Sequence, residues 1–365
     1  MAEAAPGRRS GQAGHVLAIV CPGQGSQTPG FLTPWLDLPG ASDRLSWFSA
    51  VTGLDLVAHA TTSDADTIRD TAVAQPLIVA AGLVTAAVLG EAGAAAPVAG
   101  TAPGARPARV LAGHSVGEYT AAALAGVLTP EQALVLVRER GRAMAAASAV
   151  TPTGMSAVLG GDPAEVAEVL ARHGLTPANA NGAGQVVAAG TLEQLAALSA
   201  DPPAGARVRA LTVAGAFHTH HMAPAVAVLQ GLAAALTPAD PALPLLSNAD
   251  GAQVTEGSQV LARLVSQVSN PVRWDACMAA LLELGVTHLV ELSPGGTLTG
   301  LAKRAMPGVR CVALKTPADL DAARALIAEA DATSSPVDGD GDGDGDGDGD
   351  ADGASPLAEA AVVAP

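Results

Sequence analysis

Short apolar runs alternate with longer helical segments along this chain. Residues 16–21 and 110–112 are continuous apolar runs, which are typical of strands buried inside a parallel sheet. Residues 77–89 form a longer apolar run that is too short to cross a bilayer, so it predicts a buried helix. Further strands are predicted near residues 243–246 and 287–292. The alternation predicts an α/β fold with a mostly parallel sheet.

A second, smaller region is predicted at residues 151–212. Its pattern indicates strand, helix, strand, helix and strand in turn, at residues 155–159, 163–173, 185–189, 192–199 and 208–211. Short connections join these segments, which favours a small sheet covered by two helices. We expect this subdomain to interrupt a larger domain made of residues 15–150 and 213–320, with a surface loop at residues 94–108.

The two ends of the chain carry no such pattern. Residues 1–14 lack periodicity, and residues 331–365 include a strict Asp-Gly alternation from Asp338 to Asp350. A calcium-binding loop would end in a bidentate glutamate, which this alternation lacks. We therefore predict a disordered N-terminal lead and a disordered acidic tail.

Composition and charge narrow the classes of partner. The 365 residues are 49% hydrophobic but only 2% aromatic, so we expect a core of aliphatic side chains. The net charge is −16, half of it from residues 338–352, which argues against nucleic acid as a partner. The three cysteines lie far apart, and no apolar segment follows Arg8 and Arg9 as a signal peptide would require. We expect a cytoplasmic protein with no membrane partner.

The segment Gly113-His114-Ser115-Val116-Gly117 follows the apolar run at residues 110–112. A serine between two glycines on a strand-to-helix turn is the pattern of a nucleophile elbow. The turn would hold Ser115 in a strained conformation, and a side chain at Gly113 or Gly117 would collide with the backbone. A helix over residues 118–125 would aim its N-terminal amides at the serine. An ordinary glycine-bounded turn remains the alternative at this point.

The chain contains eight histidines, any of which could in principle act as the base for this serine. His218 follows Gly215-Ala216-Phe217 on a predicted loop, which makes it the candidate general base. His220 and His221 could form a metal cluster with it, but no carboxylate lies nearby in the sequence. We therefore predict no metal site here.

A buried cation is predicted on the helix that begins at Thr129-Pro130 and runs to about Ala147. Arg140 shares one face of this helix with Ala133, Val137 and Met144. A guanidinium in an apolar stripe is costly unless an anion meets it. Two interpretations stay open, namely an internal ion pair and a clamp for a substrate carboxylate.

The turn Pro22-Gly23-Gln24-Gly25-Ser26-Gln27 follows the first predicted strand at its carboxyl end. Ligands bind at that end in open α/β sheets. The turn lacks a phosphate-binding lysine, which argues against a phosphate site. The backbone amide of Gln24 could instead join that of Val116 as an oxyanion donor. A plain tight turn is the alternative.

Taken together, these motifs resemble the malonyl-CoA:acyl carrier protein transacylase family. The resemblance runs from about Val16 to Lys315 and is carried by the three segments above and by Gln75-Pro76, Asn179-Ala180-Asn181-Gly182, Gln185-Val186-Val187, Leu246-Ser247-Asn248, Gln267-Val268-Ser269-Asn270-Pro271-Val272-Arg273-Trp274 and Glu291-Leu292-Ser293-Pro294-Gly295. It implies an α/β-hydrolase-like large domain with an inserted ferredoxin-like subdomain.

The resemblance also implies roles for single residues. Ser115 would be the acylated nucleophile, His218 its base, and Arg140 the grip on the malonyl carboxylate. The Gln24 and Val116 amides would form the oxyanion hole, and the Gln267 main-chain carbonyl would orient His218. Phe217 would narrow the acyl pocket. The implied substrate is malonyl-CoA, the implied partner is acyl carrier protein with its phosphopantetheine thiol, and we expect a monomer without a permanently bound cofactor.

Two positions depart from the family pattern, and three rival functions remain. His221 stands where the family has an apolar residue, and Ser293 where it more often has glycine.

The rivals are a transacylase for methylmalonyl or another extender unit in a polyketide pathway, an α/β-hydrolase esterase, and an inactive carrier-protein-binding scaffold. Basic side chains that could dock an acidic carrier protein are Arg138, Arg142, Lys303 and Arg304.

Overall fold

The computed structural model describes residues 15–90, 109–213 and 215–332. The predictions for residues 1–14, for the loop at 94–108 and for residues 333–365 lie outside these ranges. The described strands are β1 (Val16–Cys21), β2 (Arg109–Gly113), β3 (Thr153–Gly160), β4 (Thr176–Gly182), β5 (Gln185–Thr191), β6 (Ala206–Ala210), β7 (Val272–Arg273), β8 (Val286–Glu291) and β9 (Arg310–Ala313).

The α-helices of these ranges fall between and after the strands. They are α1 (Ala41–Thr52), α2 (Leu56–Thr61), α3 (Thr71–Leu89), α4 (Gly117–Leu124), α5 (Pro130–Ser148), α6 (Pro163–Arg172), α7 (Leu192–Ala200), α8 (Ala223–Ala233), α9 (Gly257–Ser266), α10 (Trp274–Glu283), α11 (Thr297–Ala305) and α12 (Leu320–Ala332). Helix α12 includes residues 331 and 332, which the sequence analysis assigned to the tail.

The larger sheet is parallel, with strand order β2-β1-β8-β9. Strand β1 is buried on both faces. Leu17 and Ile19 belong to a core shared with α3 and α5, whereas Ala18 and Val20 belong to a core shared with α10 and α11. Helices therefore cover both faces of the sheet, and the predicted α/β fold is confirmed.

The segment at residues 243–246 does not form the predicted strand. It lies beside β2 but makes two isolated bridges, between Leu245 and Leu111 and between Leu246 and Gln253. The Pro244 carbonyl accepts from the Leu111 amide, and the Leu246 amide donates to the Leu111 oxygen, but Pro244 has no N–H with which to pair the preceding part of β2. The pairing therefore does not extend into a ladder.

The smaller sheet has strand order β6-β3-β5-β4-β7. Residues 153–210 run strand, helix, strand, strand, helix and strand, which is the ferredoxin-like arrangement. Strand β4 was not predicted, because its sequence contains Pro177, Asn179, Asn181 and Gly182, residue types depleted in strands. Strand β7, from the part of the chain after residue 213, pairs with β4 and so adds a fifth strand from the larger domain to the small sheet.

Two long helices pack against each other beneath the parallel sheet. Helix α3 is long and apolar enough to cross a membrane by length and composition alone, but 78% of the relevant stretch is buried inside the protein. This agrees with the predicted buried helix, although the helix is longer than the apolar run. Helix α5 begins with the predicted Thr129 capping box, in which Thr129 and Gln132 bond to each other's backbone amides. It presents Arg140 on its buried face.

Candidate active site

Ser115 stands between the end of β2 and the start of α4 with a backbone φ of 53°. A Cβ on Gly113 would lie 2.1 Å from the carbonyl carbon of Gly117, and one on Gly117 would lie 2.2 Å from the Cys21 oxygen. The strained turn predicted for this segment is confirmed. Asn248 holds the turn, because its Oδ1 accepts from the Ser115 amide at 2.8 Å and its Nδ2 donates to Gly113 O at 2.8 Å.

The Gly113→Ala variant is expected to unfold more easily than the wild type. Its new methyl group would overlap backbone that cannot move aside, so we expect a loss of about 3 kcal/mol in the free energy of unfolding, at the upper end of the usual cost of overpacking. Urea denaturation followed by circular dichroism measures this loss. Gly231→Ala is the matched control, because Gly231 lies in α8 with open space around it, and it should stabilise by about 0.5–1 kcal/mol. Equal midpoints for Gly113→Ala and the wild type would contradict this account.

His218 lies directly against the serine. The distance between Ser115 Oγ and His218 Nε2 is 2.8 Å, and the distance between His218 Nδ1 and the Gln267 main-chain oxygen is 2.8 Å. A carbonyl oxygen can only accept, so Nδ1 carries the ring proton and donates a hydrogen bond to the Gln267 oxygen. Nε2 is then free to accept the proton of the serine hydroxyl. The structure thus brings together Ser115, His218 and Gln267, as the family resemblance implies. The first two are 103 residues apart along the chain, and the last two are 49 residues apart.

Burial and the positive charge of Arg140 lower the pKa of His218 to about 3. The hydrogen bond to the Gln267 carbonyl opposes this shift but does not reverse it. A base works in its unprotonated form, so His218 is ready to accept a proton at any pH well above that value.

The acylation of Ser115 is therefore expected to show no acidic limb near the ordinary histidine pKa. Labelling by a neutral fluorophosphonate should proceed at a level rate from about pH 5 to pH 7, whereas an unshifted imidazole would make the rate about thirtyfold lower at pH 5. Stopped-time labelling followed by intact-mass measurement gives this profile. Arg140→Ala removes one cause of the lowered pKa and should move the acidic limb to higher pH. A wild-type rate that halves near pH 6.5 would contradict the prediction.

Arg140 is 1% exposed and reaches the same site from α5. Its Nη1 donates to Gln75 Oε1 at 2.7 Å, and its Nη2 donates to Gln267 Oε1 at 2.9 Å and lies 3.5 Å from Ser115 Oγ. Its Nε has no partner among the described residues. Within those ranges, no carboxylate forms an ion pair with it, so the internal ion pair left open by the sequence is not found. A buried guanidinium that meets only neutral acceptors is suited to an incoming anion.

A pocket of about 210 Å³ opens over Ser115 between the two sheets. Its wall includes Ser115, His218, Arg140, Gln24, Val116 and Phe217, together with Gln75, His114, Met144, Met155, Asn179, Asn181 and Leu298. In the described part of the chain, neither the Gln24 nor the Val116 amide donates a hydrogen bond to another group. Both predicted oxyanion donors are thus available beside the serine.

Several residues at the site were given no role by the sequence analysis. Glu118, in the first turn of α4, is 5% exposed and touches Asn248 and Gln267. His114 Nε2 lies 2.9 Å from Asn181 Oδ1, which ties the turn to β4 of the small sheet. A glutamate in an otherwise apolar helix was the signal that could have pointed to Glu118.

Other candidate residues lie away from the pocket. The rings of His220 and His221 pack on each other at 4.1 Å, and His221 does not line the pocket, so its departure from the family pattern leaves that wall unchanged. Ser293 is fully buried. Among the candidate docking residues, Arg138 and Arg142 both contact Glu139, whereas Lys303 and Arg304 are exposed on α11, beside the pocket wall.

The parallel sheet, the strained serine and its histidine are typical of acyl-transfer enzymes, and the family model described as the acyl transferase domain matches residues 18–320. The malonyl CoA-acyl carrier protein transacylase of Mycobacterium tuberculosis is 52% identical over 306 residues, covering 84% of this chain and 98% of that protein. The chain belongs to the malonyl CoA-acyl carrier protein transacylase family.

Solved structures agree with this assignment. The crystal structure of the Mycobacterium tuberculosis protein has a TM-score of 0.79 and covers 84% of this chain and 99% of that one. A malonyl-transacylase solved in complex with a type II PKS acyl-carrier protein is 32% identical, with a TM-score of 0.75 and coverage of 85% and 99%. The likeness therefore extends over both sheets.

Proposed function

We propose that this protein transfers the malonyl group of malonyl-CoA to the phosphopantetheine thiol of acyl carrier protein, for fatty acid biosynthesis. The observation that carries the proposal is the position of Arg140. A buried cation without a carboxylate partner in the described ranges lies 3.5 Å from the hydroxyl oxygen of a serine that contacts histidine. An acyl group that itself bears a carboxylate can place its thioester carbonyl at Ser115 and its carboxylate at Arg140. The family assignment supports the same conclusion.

The first half of the reaction loads the enzyme. Ser115 Oγ attacks the thioester carbonyl carbon while its proton passes to His218 Nε2. The resulting oxyanion accepts hydrogen bonds from the Gln24 and Val116 amides. The carbon–sulfur bond then breaks, and His218 returns the proton to the departing sulfur of coenzyme A. Malonyl remains on Ser115 as an ester.

The second half reverses these steps with a different thiol. The phosphopantetheine thiol gives its proton to His218, and its sulfur attacks the ester carbonyl. The bond between that carbon and Ser115 Oγ breaks, and His218 protonates the serine again. The Gln267 carbonyl keeps the His218 ring oriented in both halves through Nδ1.

A competition between thioesters tests the proposal. When malonyl-CoA and methylmalonyl-CoA are mixed equally with the carrier protein, we expect malonyl transfer to dominate by about 10- to 200-fold, because Phe217 lines the pocket and one extra methyl group there is worth roughly 1–3 kcal/mol. Mass spectrometry of the carrier protein reads the ratio. Equal transfer would favour a polyketide extender enzyme, and release of free malonate without transfer would favour an esterase. Absence of both would favour an inactive scaffold.

The setting of the reaction follows the same proposal. The partner is acyl carrier protein, as in the relative solved with such a partner. Exposed Lys303 and Arg304 lie on α11, whose first turn lines the pocket, and offer positive charge to an acidic carrier. We assign the protein to the cytoplasm as a monomer that needs no permanently bound cofactor.

A further inference from the structure

Glu118 is a buried carboxyl group that the proposed reaction does not use. It lies three residues after Ser115, and both of its oxygens accept hydrogen bonds. The backbone N–H of Asn248 donates to Oε1 at 2.6 Å, and Gln267 Nε2 donates to Oε2. Each donor belongs to a residue that itself touches the reacting groups.

The two donors of Glu118 differ in what they control. Asn248 holds the strained turn through its bonds to the Ser115 amide and the Gly113 carbonyl. Gln267 uses its side-chain oxygen to accept from Arg140 Nη2 at 2.9 Å. The nitrogen end of the Gln267 amide thus meets the Glu118 carboxylate, and it also lies 3.1 Å from the Ser115 main-chain oxygen and 3.3 Å from Asn248 Oδ1. The oxygen end meets the guanidinium of Arg140.

We propose that Glu118 is a positioning residue for malonyl loading, which fixes the orientation of the Gln267 amide and thereby aims the guanidinium of Arg140. A carboxylate only accepts, and a guanidinium only donates. The observed orientation of Gln267, with nitrogen toward Glu118 and oxygen toward Arg140, satisfies both neighbours. The flipped orientation would set oxygen against the carboxylate, the Ser115 oxygen and Asn248 Oδ1, and nitrogen against the guanidinium. The inference rests on the proposed malonyl transfer.

The protonation state of Glu118 then affects the grip on malonyl. Burial raises the pKa of Glu118 to about 8, while the Asn248 amide, the charges of Arg140 and Arg263 and the Gln267 amide oppose this shift. The other titratable neighbours are His218, Tyr119 and Cys277. The lowered pKa of His218 and the raised pKa values of Tyr119 and Cys277 keep all three uncharged from pH 6 to pH 9. Once protonated, Glu118 can donate to a flipped Gln267, so malonyl loading should rise with pH through this range.

The Glu118→Gln variant separates the two donors. The backbone N–H of Asn248 cannot be reversed, so the new side chain must present its oxygen there and its NH₂ to Gln267. Gln267 relieves that clash by flipping, which places its nitrogen against Arg140 and its oxygen against the Ser115 main-chain oxygen and Asn248 Oδ1. We expect malonyl loading to fall by about 5- to 150-fold, the cost of a buried donor left without an acceptor. Acetyl loading and fluorophosphonate labelling of Ser115, which need no carboxylate grip, should stay within about threefold.

A double-variant cycle shows whether Glu118 acts through Gln267. Gln267→Met keeps the main-chain carbonyl that orients His218 but removes the amide, so it should lose malonyl loading to a similar degree. If Glu118 acts by way of this amide, the double variant should lose no more than Gln267→Met alone. Additive losses would overturn the inference. Exposed Glu193→Gln is the matched control for the chemical change and should load malonyl like the wild type.

The remaining outcomes are also decisive. Equal loss of malonyl loading, acetyl loading and labelling would mean that Glu118 only holds the turn, and the inference would fall. Unchanged malonyl loading in Glu118→Gln would overturn it as well, while leaving the proposed function intact. Wild-type protein that is labelled by fluorophosphonate but never accepts malonyl would overturn the proposed function and the inference together. The malonyl-to-acetyl ratio should rise from about pH 6 to pH 9 in the wild type only, and a parallel rise in the variant would contradict the role of the carboxylate.

Discussion

Ser115→Ala will accumulate no malonyl-enzyme after mixing with malonyl-CoA, whereas the wild type will gain the mass of one malonyl group. Ser115 Oγ is the hydroxyl oxygen that lies 2.8 Å from His218 Nε2 and faces the pocket. Alanine leaves His218 without a proton to accept and the thioester without a nucleophile. Steady-state transfer to the carrier protein should fall by about 10⁶-fold, the scale of loss when a serine nucleophile is removed. Intact-mass spectrometry measures the adduct directly.

The matched control is Ser199→Ala, on the exposed side of α7. This variant should form the adduct as the wild type does. A stable malonyl adduct on Ser115→Ala would mean that another residue is acylated, and the mechanism proposed above would be wrong. Thermal unfolding of the variant separates a loss of chemistry from a loss of fold.

Arg140→Ala is expected to lose malonyl loading while keeping acetyl loading. The guanidinium is buried, meets only neutral acceptors in the described ranges and lies 3.5 Å from the nucleophile, so a malonyl carboxylate becomes its counter-charge. Removing one partner of a buried charge pair costs about 2–5 kcal/mol, which corresponds to a loss of about 30- to 4000-fold. Acetyl-CoA carries no carboxylate and makes no such pair. Single-turnover loading with each thioester gives the two rates.

Arg142→Ala is the control on the same helix, because Arg142 is largely exposed and points away from the pocket. It should load both acyl groups at wild-type rates. Arg140→Lys should recover only part of the malonyl rate, since an ammonium lacks the planar fork that binds a carboxylate through two parallel bonds. Equal losses of malonyl and acetyl loading in Arg140→Ala would contradict the carboxylate grip.

Local patterns predicted much of the fold. The strand at β1, the capped start of α5 and the strained turn around Ser115 each depend on a few neighbouring residues, and each is confirmed. The small sheet covered by two helices was also predicted from local pattern, although β4 was missed and the ferredoxin-like fold was implied only by the family resemblance. That strand is stabilised by its neighbours β5 and β7 rather than by its own residues, so its sequence carries little signal.

The contacts that complete the candidate site come from separate parts of the chain. Asn248 and Gln267 reach the serine from segments 133 and 152 residues away. Their amides carry no charge and follow no period, so local pattern gave them no side-chain role. Glu118 was close in sequence, but its importance depends on both of those distant partners.

The sequence by itself determined where a serine could be held in strain and which helix face would bury an arginine. Glycine positions, capping residues and helical spacing act over a few residues, and such short-range constraints can be read directly. Only the tertiary structure decided that Arg140 meets Gln75 and Gln267 instead of a carboxylate, and that a glutamate orients one of these amides. Partner choice in a buried polar network depends on three-dimensional distance between groups that are far apart along the chain.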